Sequence, residues 1–337
     1  MKYAVLPTAK ARVSSVALGT AAFGSLLDKE LSFRLLDSYV AAGGTFIDTA
    51  HVYADWLGGE RSLSEKTIGT WLRERVESKG ILVATKGGHP DMATALKPRL
   101  AHEEIIQDLD GSLRFLGLER IDLYYLHRDD PSRPVGEIME TLNGQIKLGK
   151  IAAIGCSNWQ TSRIAEAQDY AKANGIASFA VNQIFWSLAK ANPGVFNSDH
   201  ALMDDQALKF YGERNLPVVA FTSQARGFFS KAADVGVFAL KPDLRKAFEN
   251  PENLTRLERT QKLATHLGVS VSAIVLAYVT SQAVTGSAII GPHSEAQLKS
   301  SLYSDSEVNQ KSFDVLLYSD STVLDGWSVI SYRLGTA

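Results

Sequence analysis

Short runs of apolar residues alternate along the chain with longer stretches in which apolar residues recur every three or four positions. The short runs are rich in Val, Ile, Leu and Ala, which is typical of strands that are buried on both faces of a parallel sheet. Eight such runs follow one another: SVAL at 15–18, TFID at 45–48, ILVATK at 81–86, IDLYYLH at 121–127, IAAIGCS at 151–157, FAVNQ at 179–183, PVVAFT at 217–222 and SAIIG at 287–291.

The longer stretches have the apolar spacing of amphipathic helices, and most of them end in Gly. Examples are SFRLLDSYVAAG at 32–43, SLSEKTIGTWLRER at 62–75, HEEIIQDLDGSLRFLG at 102–117 and TSRIAEAQDYAKANG at 161–175. Eight strand–helix repeats predict an α/β fold of the closed (β/α)8 or TIM-barrel type, in place of an open doubly wound sheet. We expect one domain over residues 1–337.

Three further segments lie outside this repeat. A short hairpin is predicted at 2–13, before the first barrel strand, and one more helix at 306–320, after the last one. The connections at 187–204 and 223–252 are longer than a minimal barrel needs, and long loops of this kind usually carry function.

Composition narrows the class of protein. The chain of 337 residues is 45% hydrophobic with a formal net charge of -2, so neither nucleic acid nor a membrane is an expected partner. Its single cysteine, Cys156, excludes an internal disulfide, and its place in a strand predicts a buried thiol more than a reactive one. Because the first residues lack the apolar core of a signal peptide, we expect a cytoplasmic protein. No residue cluster has the spacing of metal ligands, and the pattern does not indicate an oligomeric state.

Chemically capable side chains stand at successive strand ends. Asp48, Lys86 and His127 end the second, third and fourth runs, and Tyr53 follows in the loop after the second. Each alone is typical of a turn or of packing, but in a parallel barrel all four converge on one face. A tyrosine hydroxyl has a pKa near ~10, which a neighbouring ammonium lowers, while a carboxylate holds that ammonium in place. With an imidazole to orient the substrate, the set suits protonation of a carbonyl oxygen during hydride transfer.

The motifs around these residues resemble the aldo-keto reductase superfamily. FIDTAHVY matches its D-T-A-x-x-Y element, LVATKGG its strand-ending lysine, and IDLYYLHRDDP its I-D-L-x-x-x-H element. The resemblance runs over about residues 13–302. It implies a nicotinamide-dependent carbonyl reductase or alcohol dehydrogenase with Asp48, Tyr53, Lys86 and His127 as its catalytic tetrad.

The same resemblance implies a cofactor path, since hydride transfer needs a cofactor and no G-x-G-x-x-G fingerprint is present. Ser157, Asn158 and Gln183 match residues that bind the carboxamide, and Trp186 stands where the family has an aromatic stacked on the nicotinamide; a core aromatic is the alternative for Trp186. The implied cofactor residues are Gly19, Thr20, Asp48, Ser157, Asn158, Gln183, Trp186, Phe221, Thr222, Gln224, Arg226, Gly227, Gly291, His293 and Gln297.

Two departures from the family pattern concern this path. FTSQARG at 221–227 lacks the proline of the family's Y-S-P-L element, and after the last strand only His293, Gln297 and Lys299 are at hand for an adenosine 2′-phosphate. We favour NADP(H) on family frequency, with NAD(H) as the alternative.

The expected substrate-lining residues are Phe23, Trp56, His89, Arg128 and Trp159. Aromatic walls with hydrogen-bonding neighbours suit a sugar, which we slightly favour, and they would also accept an aromatic aldehyde. Alternatively, Trp56 and Trp159 anchor loops by packing. A second function is a cofactor-binding auxiliary subunit, as in the family's potassium-channel β-subunits, which senses redox state with little turnover. A third is an unrelated barrel enzyme with a phosphate site after strands seven and eight, which leaves the tetrad unexplained.

Overall fold

The computed structural model describes residues 1–6, 11–75, 80–91, 97–196 and 200–302. The helix predicted at 306–320 and the turn of the predicted hairpin, at 7–10, lie outside the described residues. Within these residues the strands are β1 (Tyr3–Leu6), β2 (Ala11–Ser14), β3 (Val16–Gly19), β4 (Phe46–Asp48), β5 (Leu82–Gly87), β6 (Ile121–Leu126), β7 (Ile151–Ser157), β8 (Asn182–Phe185), β9 (Val218–Phe221) and β10 (Thr285–Ile290).

Helices follow the barrel strands, as the alternation of patterns predicts. Over the same residues they are α1 (Lys29–Ala41), α2 (Leu63–Glu74), α3 (His102–Leu116), α4 (Val135–Lys147), α5 (Thr161–Asn174), α6 (Asp205–Arg214), α7 (Phe228–Val235), α8 (Pro242–Phe248), α9 (Pro251–Leu267), α10 (Val271–Thr280) and α11 (Glu295–Leu302).

Strands β3 to β10 close into a parallel eight-stranded barrel, in which each strand pairs with the next and β10 pairs with β3. This confirms the predicted (β/α)8 TIM barrel. Strands β1 and β2 pair antiparallel, so the predicted hairpin is also present. Its buried Leu6 and Val13 belong to one apolar cluster with Phe46 and Leu123 of the barrel.

Helix α3 illustrates how the sequence sets these elements. The Glu104 carboxylate accepts a hydrogen bond from the Ala101 backbone N–H at 3.0 Å, which satisfies a donor at the start of the helix. Ile105 and Leu109 are buried on its inner face, as their spacing predicts. Gly117 ends the helix in the left-handed region, with φ of 68°, where a side chain would be strained.

The long connection at 223–252 is ordered around its own apolar cluster. Phe228 and Phe248, from α7 and α8, are fully buried in a cluster with Phe185 of β8. This packing holds α7 and α8 over the C-terminal ends of β8 and β9. Among the described helices, no single one is long and apolar enough to cross a membrane; α9 and α10 pass that test only as a pair bent by 102°.

Candidate active site

The four residues of the predicted tetrad meet at the C-terminal ends of β4, β5 and β6. The Lys86 Nζ donates to Asp48 Oδ1 at 2.6 Å and to the Tyr53 hydroxyl oxygen at 3.0 Å. Lys86 and Asp48 are buried, with exposed side-chain fractions of 0% and 1%. The His127 ring lies edge-on to the Tyr53 ring with centroids 5.9 Å apart. The geometry therefore forms a buried ion pair beneath a phenol and an imidazole.

All three donors of the Lys86 ammonium have acceptors, because Nζ also donates to the Thr49 carbonyl at 2.7 Å. Burial alone would lower the pKa of Lys86, but the Asp48 carboxylate and Tyr53 raise it, so the ammonium stays charged. Burial raises the pKa of Asp48, and the ion pair with Lys86 opposes that effect. The two charges therefore hold each other in a buried site.

Tyr53 and His127 are both neutral near pH 7, for different reasons. Burial raises the pKa of Tyr53 and Lys86 lowers it; burial is the larger effect, so the pKa is raised overall. The sequence predicted that Lys86 lowers the pKa of Tyr53, but it carried no information on how far burial raises that pKa. The pKa of His127 is well below its usual value because of burial, with smaller effects from His89 and Arg128.

A cavity of about 1040 Å³ opens above this centre, over the C-terminal ends of the strands. Asp48, Tyr53 and His127 form part of its wall. The other residues predicted for the site that line it are Gly19, Thr20, Phe23, Arg128, Ser157, Asn158, Gln183, Phe221, Thr222, Gln224, Arg226, Gly227, Gly291, His293 and Gln297. The barrel thus gathers residues from its whole length around one cavity.

Comparison with known proteins agrees with this geometry, since the model of the aldo/keto reductase family matches residues 15–314. The chain belongs to the aldo/keto reductase family. Members of this family are oxidoreductases that generally use nicotinamide cofactors, typically NADP(H).

Curated relatives match most of the chain. An uncharacterized oxidoreductase, YrpG, of Bacillus subtilis is 28% identical over 90% of both chains. An aryl-alcohol dehydrogenase of Pestalotiopsis microspora is 26% identical over 88% of this chain and 76% of its own length. A norsolorinic acid reductase of Emericella nidulans is 28% identical with the same coverage.

Trp186, which stands at the family's stacking position in the sequence, is not placed beside the cavity. It is 4% exposed and packs edge-on against Tyr278, with ring centroids 6.5 Å apart. The indole is part of the main apolar core, and this position favours the alternative of a core aromatic. Phe221, at the end of β9, does line the cavity.

The five predicted substrate residues divide into three groups. Phe23 and Arg128 line the cavity. Trp56, which is 45% exposed, lies edge-on to Tyr53 at 6.1 Å, and His89 lies edge-on to His127 at 4.7 Å. Trp159 is not among the residues that line the cavity: it is fully buried and packs against Phe179 at 5.0 Å, which favours the alternative of a packing residue. Cys156 is buried, as predicted.

Several lining residues were not singled out from the sequence. His200 lies in the long connection after β8, and its Nε2 is 3.2 Å from Arg128 Nη2. Lys231 and Lys241 lie in the connection after β9. The only feature of the sequence that pointed to these residues was the length of the two connections, at 187–204 and 223–252. The full set is Ala21, Ala22, His200, Ser223, Ser230, Lys231, Asp234, Lys241, Ser272, Ile289, Pro292, Ala296, Ser300 and Ser301.

The residues at the two ends of the cavity fit a nicotinamide dinucleotide. Near the tetrad, Asn158 Nδ2 donates to Ser157 Oγ at 3.0 Å, while Asn158 Oδ1 is buried with no partner among the described residues. An unpaired buried acceptor of this kind suits the N–H of a carboxamide. At the far end, Arg226, Lys231 and Lys241 face the cavity and suit phosphate groups.

The loop after β9 is unusual in its backbone. Thr222, Ala225 and Arg226 all lie in the left-handed region, with φ of 53°, 49° and 56°. Such conformations are unfavourable for residues other than glycine and cluster at ligand sites. Arg226 of this loop lines the cavity, and its guanidinium lies over the Phe196 ring at 5.5 Å from the centroid.

Proposed function

We propose that this chain catalyses the nicotinamide-dependent reduction of a carbonyl to an alcohol, and the reverse oxidation, with Tyr53 as the general acid and base. The observation that carries this proposal is the position of Lys86 Nζ, which bonds both Asp48 Oδ1 and the Tyr53 hydroxyl. A turn or packing role for these residues does not account for a buried ammonium aimed at a phenol.

The direction of the hydrogen bonds supports this role for Tyr53. An ammonium has only donors, so the Tyr53 oxygen accepts from Lys86 and its own hydrogen is free for a substrate. Tyr53 donates its proton to the carbonyl oxygen, and a bound nicotinamide would supply the hydride for the carbonyl carbon. The phenolate that remains is stabilised by the Lys86 ammonium, and Asp48 keeps that ammonium charged.

His127 orients the carbonyl oxygen as a neutral imidazole. Its Nδ1 is buried and has no hydrogen-bond partner among the described side chains and backbone. A neutral ring carries one N–H, and we assign it to Nε2, since an N–H at Nδ1 would be left unsatisfied. His127 Nε2 then donates to the substrate oxygen beside the Tyr53 hydroxyl.

NADP(H) is the proposed cofactor. Arg226, Lys231 and Lys241 give the outer part of the cavity three positive charges against one carboxylate, Asp234. The additional 2′-phosphate of NADP(H) benefits from this excess. In the sequence, family frequency alone favours NADP(H), and His293, Gln297 and Lys299 are the residues at hand for the 2′-phosphate. Lys231 and Lys241 add support for NADP(H).

An aryl carbonyl is the proposed substrate class, ahead of the sugar that the sequence slightly favoured. Phe23 lines the cavity beside the tetrad. Trp56 and Leu57, which share the loop of Tyr53, are 45% and 49% exposed, and exposed apolar side chains beside a catalytic group suit an apolar ligand. One relative is named an aryl-alcohol dehydrogenase, and this supports the same choice.

The test combines binding and turnover. Tryptophan fluorescence quenching gives the affinities for NADPH and NADH, and initial rates are then measured with benzaldehyde and with an aldose at equal concentration. We expect tighter binding of NADPH and faster reduction of benzaldehyde. Binding without turnover of either carbonyl would favour an auxiliary, redox-sensing subunit, and binding of neither cofactor would contradict the proposal.

A further inference from the structure

Gln183 makes a contact that its expected role as a carboxamide ligand does not require. It lies on β8 and is 2% exposed. Its Nε2 donates to Asp48 Oδ2 at 2.7 Å. Strand β8 is opposite β4 in the ring of eight strands, so this hydrogen bond crosses the mouth of the barrel. Gln183 is therefore attached to the ion pair beneath Tyr53.

The chemistry of the two partners sets the orientation of the Gln183 amide. An ionised carboxylate only accepts hydrogen bonds, so the amide nitrogen must face Asp48. Gln183 also lines the cavity, and the part of its amide that is left for a ligand is the carbonyl oxygen, an acceptor. Asp48 now has a donor on each oxygen, Lys86 on Oδ1 and Gln183 on Oδ2.

A primary carboxamide matches what the surrounding residues offer. Its NH2 group has two hydrogens, and the cavity presents two acceptors, the Gln183 oxygen and the unpaired Asn158 Oδ1. Asn158 contacts Ser157 and has no recorded bond to Asp48. Of the two acceptors, only Gln183 is thus joined to the proton-transfer residues.

We propose that Gln183 is a positioning residue that couples the cofactor carboxamide to the proton relay, through one amide that accepts from the carboxamide and donates to Asp48. This inference rests on the proposed function, because it requires a nicotinamide in the cavity. A carboxamide N–H on the Gln183 oxygen polarises the amide and strengthens its bond to Asp48, as in other hydrogen-bond chains. Cofactor binding then favours the ionised form of Asp48, which keeps charged the Lys86 ammonium that stabilises the Tyr53 phenolate.

The other titratable groups that face this pair stay constant across the pH range of a test. Tyr125 of β6 is buried, which raises its pKa well above the usual value and keeps it neutral. Cys156 of β7 is likewise neutral because burial raises its pKa. Tyr53 and Lys86 remain protonated, since their pKa values are both raised.

The decisive variant is Gln183→Glu, with Asn158→Gly as the matched control. Two adjacent carboxyl groups share one proton, so the new side chain keeps the donor to Asp48 only while that proton is bound. For Gln183→Glu we expect NADPH affinity and kcat within about threefold of wild type at pH 5, each falling at least about tenfold towards pH 9 relative to wild type. Asn158→Gly retains the left-handed backbone and should weaken NADPH binding about fivefold at every pH, with a kcat profile parallel to that of wild type.

A second variant gives a measurement without turnover. Gln183→Met leaves the ionised Asp48 without one donor, so the apoprotein should lose stability relative to wild type at pH 7. Urea unfolding at this pH measures the deficit.

Three outcomes distinguish the coupling through Gln183 from the proposed function. A Gln183→Glu profile parallel to wild type or to Asn158→Gly, or a Gln183→Met apoprotein as stable as wild type at pH 7, overturns the coupling. Failure of the wild-type protein to bind NADPH overturns the proposed function itself. A pH-dependent loss confined to Gln183→Glu, together with a stability deficit of Gln183→Met, supports both.

Discussion

Removal of the Lys86 ammonium should destabilise the protein far more than removal of both charges of the ion pair. Lys86→Met deletes three hydrogen bonds and leaves Asp48, which is 1% exposed, as a buried carboxylate without its counter-ion. Loss of one partner of a buried pair costs about 3–5 kcal/mol of unfolding free energy, whereas replacement of both by neutral groups of similar shape is often close to neutral. The double variant Asp48→Asn/Lys86→Met should therefore be more stable than the sum of the single effects predicts, by about 2 kcal/mol.

Equilibrium urea unfolding at pH 7 of the wild type, both single variants and the double variant gives the interaction free energy. A matched control is Lys66→Met, which breaks the surface pair of Lys66 with Glu60, at 2.7 Å with side chains 31% and 64% exposed. An exposed pair contributes at most about 1 kcal/mol. If the Lys86 and Asp48 effects add within about 0.5 kcal/mol, the two side chains do not depend on each other and our account of the pair is wrong.

Three further predictions concern other contacts. Burial lowers the pKa of His51, but the hydrogen bond and charge of buried Glu65 raise that pKa above 6.5 overall. Wild type should therefore be more stable than His51→Gln at pH 6 and should lose this advantage as the pH rises through the pKa of the folded state. Urea unfolding measures the difference in stability, and an equal difference at pH 6 and pH 9 would contradict this prediction. Phe221→Ala should weaken NADPH binding about tenfold by fluorescence titration, whereas Trp186→Phe should leave it unchanged; the reverse result would restore the stacking role to Trp186. Trp56→Ala should raise the KM for benzaldehyde several-fold and leave the NADPH affinity unchanged, and an unchanged KM would count against an aryl substrate.

The barrel could be predicted because each apolar run indicates a buried strand. The runs indicate which residues are buried more directly than which residues pair with a neighbouring strand. Strand β6 extends over Ile121–Leu126, one residue short of its prediction at 121–127. Strand β8 begins at Asn182, although the predicted run begins at 179 and Phe179 is buried. Residues just before a strand can be buried in the core without pairing to a neighbouring strand. Hydrophobicity alone does not distinguish such residues from the residues of the strand itself.

The tetrad was predictable because a parallel barrel brings all strand ends to one face, whatever their separation in sequence. The direction of each side chain was not predictable in the same way. Trp186 follows the last residue of β8 and Phe221 is the last residue of β9, yet of these two only Phe221 lines the cavity. Lys231 and Lys241 were missed because they lie in a long connection whose length predicts function without indicating which residues carry it. The raised pKa of Tyr53 depends on the depth of burial, which only the structure supplies.

The most direct test of the central claim is the rate of benzaldehyde reduction by NADPH in the wild type and in Tyr53→Phe, with NADPH affinity measured on both proteins. Loss of the hydroxyl removes the proton donor but leaves the ring, so we expect kcat to fall by about 10²–10⁴-fold at unchanged NADPH affinity. A Tyr53→Phe variant that binds NADPH and reduces the aldehyde at close to the wild-type rate would show that Tyr53 is not the general acid.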